Sequence, residues 1–182
     1  MKHILPILTI TTLAAAASAQ SAAASSGLSY NRVGVSREGQ NNSLSVSQLL
    51  GSSNVLVGLS TRSEAVHGSY TDTYNYAFLS VGYVFKNVAA GIDATLSIGA
   101  GDSNNNSVLG VNLRRSLSEV YAGLEVAVGY ENRKGQNGGA NESAWSYELA
   151  YNINKQYSVA YGITDRKGAA RNLNTVTVRY NF

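Results

Sequence analysis

The chain has 182 residues, a formal charge of +3 and only 14% charged residues, where ~25% is usual. It carries 18 Gly, 12 Tyr, one Pro and no Cys, which excludes collagen, disulfide scaffolds, thiol redox, zinc-finger and iron–sulfur chemistry. So small a charge, with no run of Lys and Arg to make a basic stripe, gives no case for nucleic acid as a partner.

The N-terminus reads as a secretory signal peptide. Lys2 supplies the positive start, Ile4 to Leu13 an apolar stretch continued by Ala14 to Ala17, and Ala17-Ser18-Ala19 the A-x-A cleavage pattern. The stretch is too short for a spanning helix; an uncleaved anchor is the alternative. No Cys follows the cut, so a lipid-modified cysteine is excluded. The expected division is a leader over 1–19 and one domain over 20–182, a mature chain of 163 residues (182 − 19).

Beyond residue 19 no sustained 3.6-residue apolar period occurs, and period-2 alternation takes its place. Breaks between alternating stretches predict ten strands: 28–37, 43–50, 54–65, 73–85, 88–101, 107–117, 120–133, 143–153, 156–166 and 172–182. Ser43–Leu50 is the weakest, being short and Ser-rich. Eight strands is the alternative, with two hairpins dissolved into loops. The pattern is clean in 88–100, where Ile92, Ala94, Leu96 and Ile98 oppose Asp93, Thr95, Ser97 and Gly99. It is clean again at the end, where Val176, Val178, Tyr180 and Phe182 oppose Thr175, Thr177, Arg179 and Asn181.

One face is continuously apolar and the other rich in Gly, Ala and Ser, as a narrow barrel lumen requires. Most segments run ~10–13 residues, near the span of a membrane β-strand and longer than the ~5–6 of soluble sheets. Short turns fall at Gly51-Ser52-Ser53, Lys86-Asn87, Ser118-Glu119 and Asn154-Lys155, and longer polar loops lie between them. Short turns on one side and loops on the other predict an all-β, up-and-down antiparallel transmembrane β-barrel with its turns in the periplasm. After three of these turns a hairpin-scale pattern recurs, with Gly58, Gly91 and Gly123 expected inward at one depth. Tyr83, Phe85, Tyr151, Tyr157, Tyr180 and Phe182 near the turns, and Tyr74, Tyr130 and Trp145 near the loops, form two aromatic girdles.

With the Ala17-Ser18-Ala19 cleavage site and the ending Val176-x-Val178-x-Tyr180-x-Phe182, the chain resembles small bacterial outer-membrane β-barrels, the OmpA- and OmpX-like porin-family proteins. The resemblance implies an outer-membrane monomer surrounded by outer-membrane lipids. It also implies that the last strand, through Tyr180 and Phe182, is read by the barrel-assembly machinery. These families usually have eight strands, so ten is a departure.

Strand parity places Arg32, Arg62, Glu64, Asp93, Arg114, Glu125, Glu148 and Arg179 in the lumen. Charges in a confined, low-dielectric space must be paired, and opposite signs lie on adjacent strands. Asp93, Arg114 and Glu125 alternate on three successive strands, with Arg114 expected as their shared cation. The expected function is a structural or surface-interaction role for a barrel whose lumen is closed by this salt-bridge plug. The alternative is a narrow porin-like channel for small polar solutes or ions, its bore ringed by the same charges.

Catalysis has a thin basis. His67-Gly68-Ser69 has the H-x-S spacing that resembles the outer-membrane lipid A deacylase, with Glu64 or Asp72 as candidate orienting acids. One His on a Gly-flanked loop has no fixed partner, and no enzyme is expected. A single His after the leader and no Cys give no metal site. Asp102 to Asn106 lacks the Gly and closing Glu of an EF-hand. No helix follows Gly135 to Gly139, so it is no phosphate cradle. No cofactor is expected.

Overall fold

A computed structural model describes residues 27–39, 41–65, 73–101, 107–134, 141–167 and 172–182, with side chains at 64–65 and 73–76 left out. His67, Ser69, Asp72, Asp102 to Asn106 and Gly135 to Gly139 fall outside them, as does the expected leader.

Ten strands form among the described residues: β1 Arg32–Glu38, β2 Asn41–Leu49, β3 Val55–Ala65, β4 Thr73–Ala89, β5 Ile92–Gly101, β6 Ser107–Ser116, β7 Leu124–Lys134, β8 Glu142–Asn152, β9 Tyr157–Arg166 and β10 Leu173–Asn181. Each pairs antiparallel with its neighbours in sequence, and β1 pairs with β10 to close the barrel. Closure with ten strands sets aside the eight-strand alternative. Ser43–Leu50, the weakest segment in sequence, holds a full register on both sides as β2.

Period 2 along each strand becomes rows around the wall. One outward row runs Val55–Tyr83–Leu96–Val111–Tyr130–Trp145 through six strands. Large apolar side chains stand exposed around most of the outer surface, from Leu79 and Ile98 to Leu149 and Val178. A soluble monomer does not expose so continuous an apolar surface; a barrel in lipid does. The girdle rings meet in pairs, Tyr83 with Phe85 at 4.8 Å and Tyr157 with Tyr180 at 5.4 Å at the turn end, and Tyr130 with Trp145 at 5.0 Å toward the loops.

Three departures from the sequence reading have local causes. β4 runs through Lys86-Asn87 to Ala89, with a register irregularity after Phe85, so the turn sits at Ala90-Gly91. Asn87 adopts φ +51°; its side chain accepts from Gly91 N at 3.0 Å and its own N–H donates to Asp93 at 2.8 Å, holding the bend further along. The Ser118-Glu119 turn widens, because Val120 N and Tyr121 N both donate to Leu117 O in helix-like fashion. Gly91 and Gly123 are therefore turn residues with φ +77° and +84°, and Gly58 alone of the three lies inside a strand.

The fourth departure opens the lumen to a guest. The first strand begins at Arg32, not at 28. Gly27 to Asn31 leave the wall and fold inward at the turn end, burying Leu28 and Tyr30. These two pack with the inward side chains of Leu49 and Val84, with Leu56 alongside.

Candidate functional site: the charged lumen

The lumen has two unlike sides. The middle of the β3–β5 wall carries small residues, with Gly58, Ser80 and Gly99 in one row, while Arg62 and Asp93 lie toward its two ends. The other charges lie on β1, β6–β8 and β10, where small residues stand between them. In the row Asp93–Arg114–Ala127–Glu148–Gly162, Ala127 separates Arg114 from Glu148. Glu125 lies one inward step below Ala127, with Ala150 and Ala160 beside it. The alanines leave room for long charged side chains to lie across the wall and meet diagonally.

Two ion pairs result deep in the barrel. Arg114 donates to Glu125 at 2.8 Å, with both side chains more than nine-tenths buried. Arg179 reaches over β9, which presents the small residues Ser158, Ala160 and Gly162 there, to bond Glu148. Glu125 also accepts from Asn152 at 2.7 Å. Nearer the loops Arg62 pairs with Glu38 at 2.7 Å. Of the eight inward charges read from the sequence, Glu64 keeps its register opposite Tyr74, but its side chain lies outside the description.

Asp93 differs from the expectation of a shared cation. It is fully buried, and Tyr30 stands between it and Arg114. The Tyr30 hydroxyl donates to Asp93 at 2.7 Å while the Arg114 guanidinium lies 4.9 Å from the ring centre. Arg114 also donates to the Ser29 carbonyl at 3.0 Å. Burial first, and then the bond to Asp93, push the ionisation of Tyr30 up, so it remains a neutral phenol.

Arg32 stands apart. It has no hydrogen-bond or ion-pair partner among the described residues. It lines a mid-lumen cavity of about 420 Å³ with Arg114, Arg179 and Glu148, together with Ser45, Ser47 and Thr177. Three guanidiniums and one carboxylate thus face one space. Arg114 and Arg179 are each bonded to an acid, whereas Arg32 faces the same space as Glu148 without such a bond. A second cavity of about 190 Å³ continues toward the loops, sharing Ser36, Ser146, Thr164 and Thr175; Arg62, Arg133 and Arg166 face Glu38 and Glu131 there. At the turn end a third, lined by Gly27 to Ser29, Glu125, Asn152 and Lys155, opens on the other side of the Arg114–Glu125 pair. Cavities are thus stacked along the barrel axis. Arginines bind carboxylates through planar, forked hydrogen bonds, while the hydroxyls and amides can replace the water of a polar solute.

The sequence missed two lumen residues of consequence. Leu28 and Tyr30 share the inward parity of Arg32, and a large apolar residue on that parity was the available signal. Glu38, Glu131, Arg133 and Arg166 also carry inward parity and were not singled out.

No protein-family model matches the sequence, and no curated protein matches it significantly. Solved structures do match. A KdgM porin in complex with disordered oligogalacturonate is 16% identical, over 85% of this chain and 99% of that one, with a TM-score of 0.54. A second KdgM porin structure is 17% identical over the same shares, with a TM-score of 0.50. The NanC porin in a rhombohedral crystal form is 12% identical over 83% and 98%, TM-score 0.51. At such identities the likeness is one of fold: this chain has the closed antiparallel barrel of porins.

Proposed function

We propose that the protein is an outer-membrane channel of narrow bore that passes small polar solutes and favours anions, with acidic oligosaccharides as its solute class. The carrying observation is the mid-lumen cavity that three guanidiniums and one carboxylate face, in which Arg32 makes no hydrogen bond or ion pair among the described residues. A fixed cation in a confined space attracts anions more strongly than one in bulk water. The oligogalacturonate held by a KdgM porin of this fold supports the solute class. Export by the 1–19 leader, a monomer in outer-membrane lipid and assembly through Tyr180 and Phe182 complete the reading. The apolar outer surface with its paired aromatic rings supports the lipid setting.

Single-channel recording in planar bilayers tests it. Wild type is expected to conduct, to prefer chloride over potassium in a salt gradient, and to be blocked by trigalacturonate more than by a neutral trisaccharide. Arg32→Gln should lower the anion preference by roughly twofold or more. A cation-selective wild type, or an Arg32→Gln channel of unchanged selectivity, would overturn the assignment.

A structural barrel closed at its turn end is the second reading. The buried Leu28, Tyr30, Arg114 and Glu125 favour it. It requires that wild type show no steady conductance.

A further inference from the structure

We infer that Gly27 to Asn31 form a seated constriction, so that this segment and not the barrel wall sets the bore at the turn end. The inference rests on the channel reading and adds a residue-level control to it.

The segment belongs to no strand, yet Leu28 and Tyr30 are 1% and 3% exposed, among the most enclosed side chains described. It lies with the Arg114–Glu125 pair between the mid-lumen cavity above and the turn-end cavity below. Its seat has an apolar half, Leu49 and Val84 against Leu28, and a polar half around Tyr30. Ser47 donates to the Tyr30 carbonyl at 2.8 Å, and Asn31 accepts from Leu49 N at 2.8 Å.

The polar half is divided in a telling way. Asp93 gives one carboxylate oxygen to the Tyr30 hydroxyl and the other to Asn87 N, which belongs to β4. Arg114 gives one terminal nitrogen to the Ser29 carbonyl and the other to Glu125 of β7. Each buried charge therefore keeps a partner in the wall when the segment leaves. An uncompensated buried charge is the usual obstacle to withdrawing a buried element, and here it is absent. The strand-to-strand register of the ten-stranded wall also begins after the segment, at Arg32. Displacement thus exposes Leu28 and Tyr30 and frees the backbone N–H groups of Leu49 and Phe182 that Asn31 accepts from, but it parts no two strands. Small polar solutes meet the narrow state, and withdrawal enlarges the passage.

The test uses the full-length protein with Leu28→Ala/Tyr30→Ala, which weakens the seat, and Leu28→Cys/Val84→Cys, which locks it; the natural chain has no cysteine to interfere. Val84→Cys alone reports seating, because Val84 is fully covered. A charged thiol reagent should label it slowly in the otherwise natural chain and at least about tenfold faster with Leu28→Ala/Tyr30→Ala present. Single-channel conductance should rise roughly twofold or more in the double-alanine variant. Faster folded than unfolded migration on a detergent gel should be retained. The oxidised cysteine pair should hold the low conductance, and reduction should restore larger openings. If the double-alanine variant fails to fold, the oxidised-versus-reduced comparison decides alone, and equal conductance in both forms overturns the inference. Fast labelling with unchanged conductance overturns it too, leaving the channel reading intact. Silence in wild type and in a double-alanine variant with a reactive Val84→Cys overturns both. Silence in wild type with conduction in the double-alanine variant upholds the constriction as full closure.

Discussion

Arg114 divides its guanidinium among three neighbours: the Glu125 carboxylate, the Ser29 carbonyl and the face of Tyr30. Truncating it leaves Glu125 buried with Asn152 as its one side-chain hydrogen-bond donor among the described residues. Breaking a buried pair from one side typically costs ~3–5 kcal/mol, whereas replacing both partners by apolar residues of similar volume is often near neutral. Arg114→Ala should therefore lower barrel stability by about that amount, and Arg114→Met/Glu125→Leu by clearly less. Urea unfolding followed by the fluorescence of Trp145, the single tryptophan, measures both. A double variant as unstable as Arg114→Ala would contradict this account of the pair. At this scale the sequence was partly legible. Parity put Asp93, Arg114, Glu125, Glu148 and Arg179 on the right face, but it could not say which charges would meet. Pairing depends on small neighbours such as Ala127 and Gly162, and on a tyrosine arriving from outside the wall.

Strands and turns carry a different kind of constraint. Gly99 on β5 faces the lumen beneath the ring of Phe78, and a methyl group there would collide with that ring and lie 2.9 Å from the Leu79 carbonyl. Gly99→Ala should cost ~1–3 kcal/mol, the usual penalty of overpacking, and Phe78→Leu should recover part of it. The same urea titration reads both, and a Gly99→Ala barrel of natural stability would show the ring to be freely displaceable. The turn before β7 uses glycine for two reasons at once. Gly123 has φ +84°, and an added Cβ would stand 2.6 Å from the Asn152 carbonyl. At the last strand, Phe182 N donates to the Asn31 carbonyl at 3.0 Å, and its ring lies 6.5 Å from that of Tyr180. Deleting Phe182 should reduce the yield of folded barrel in the outer membrane more than deleting Gln20 to Ala24; equal yields would remove the case for a C-terminal assembly signal. Strand existence was legible because period 2 has no rival explanation over ten segments. Turn positions were less so, since the Asn87 side chain and the helix-like bonds to Leu117 O shift bends by several residues without altering the alternation.

The whole barrel is defined by closure, and closure gives each end of the molecule a testable side. If the short turns lie in the periplasm, cysteines at Ser53, Ala90, Ser118 and Lys155 should be shielded from an impermeant thiol reagent on intact cells. Cysteines at Asn141 and Lys167, beyond the other ends of the strands, should react. Reaction at Ala90 with silence at Lys167 would invert the orientation. Barrel class, strand number and the apolar outer surface were all readable in advance, because lipid on one side and a narrow lumen on the other impose opposite compositions on alternate residues. The guest in the lumen was not. Leu28 and Tyr30 continue the alternation into β1, so period alone extends the strand. Only the combination of inward parity and large apolar volume betrays them, matched by Leu49, Leu56 and Val84 on the same inner face.

That inner apolar cluster bears on the order in which the chain acquires its structure. All of its members fall within the first 84 residues, whereas Arg179–Glu148 and the β1–β10 seam need the last strand. Contacts close in sequence form fastest, because little chain entropy is lost in closing short loops. The first four strands and the segment before them thus own a nucleus that, among the described residues, the other six strands lack. Truncation at Leu49 or Val84 should slow refolding into detergent micelles, while Glu148→Gln should chiefly hasten unfolding.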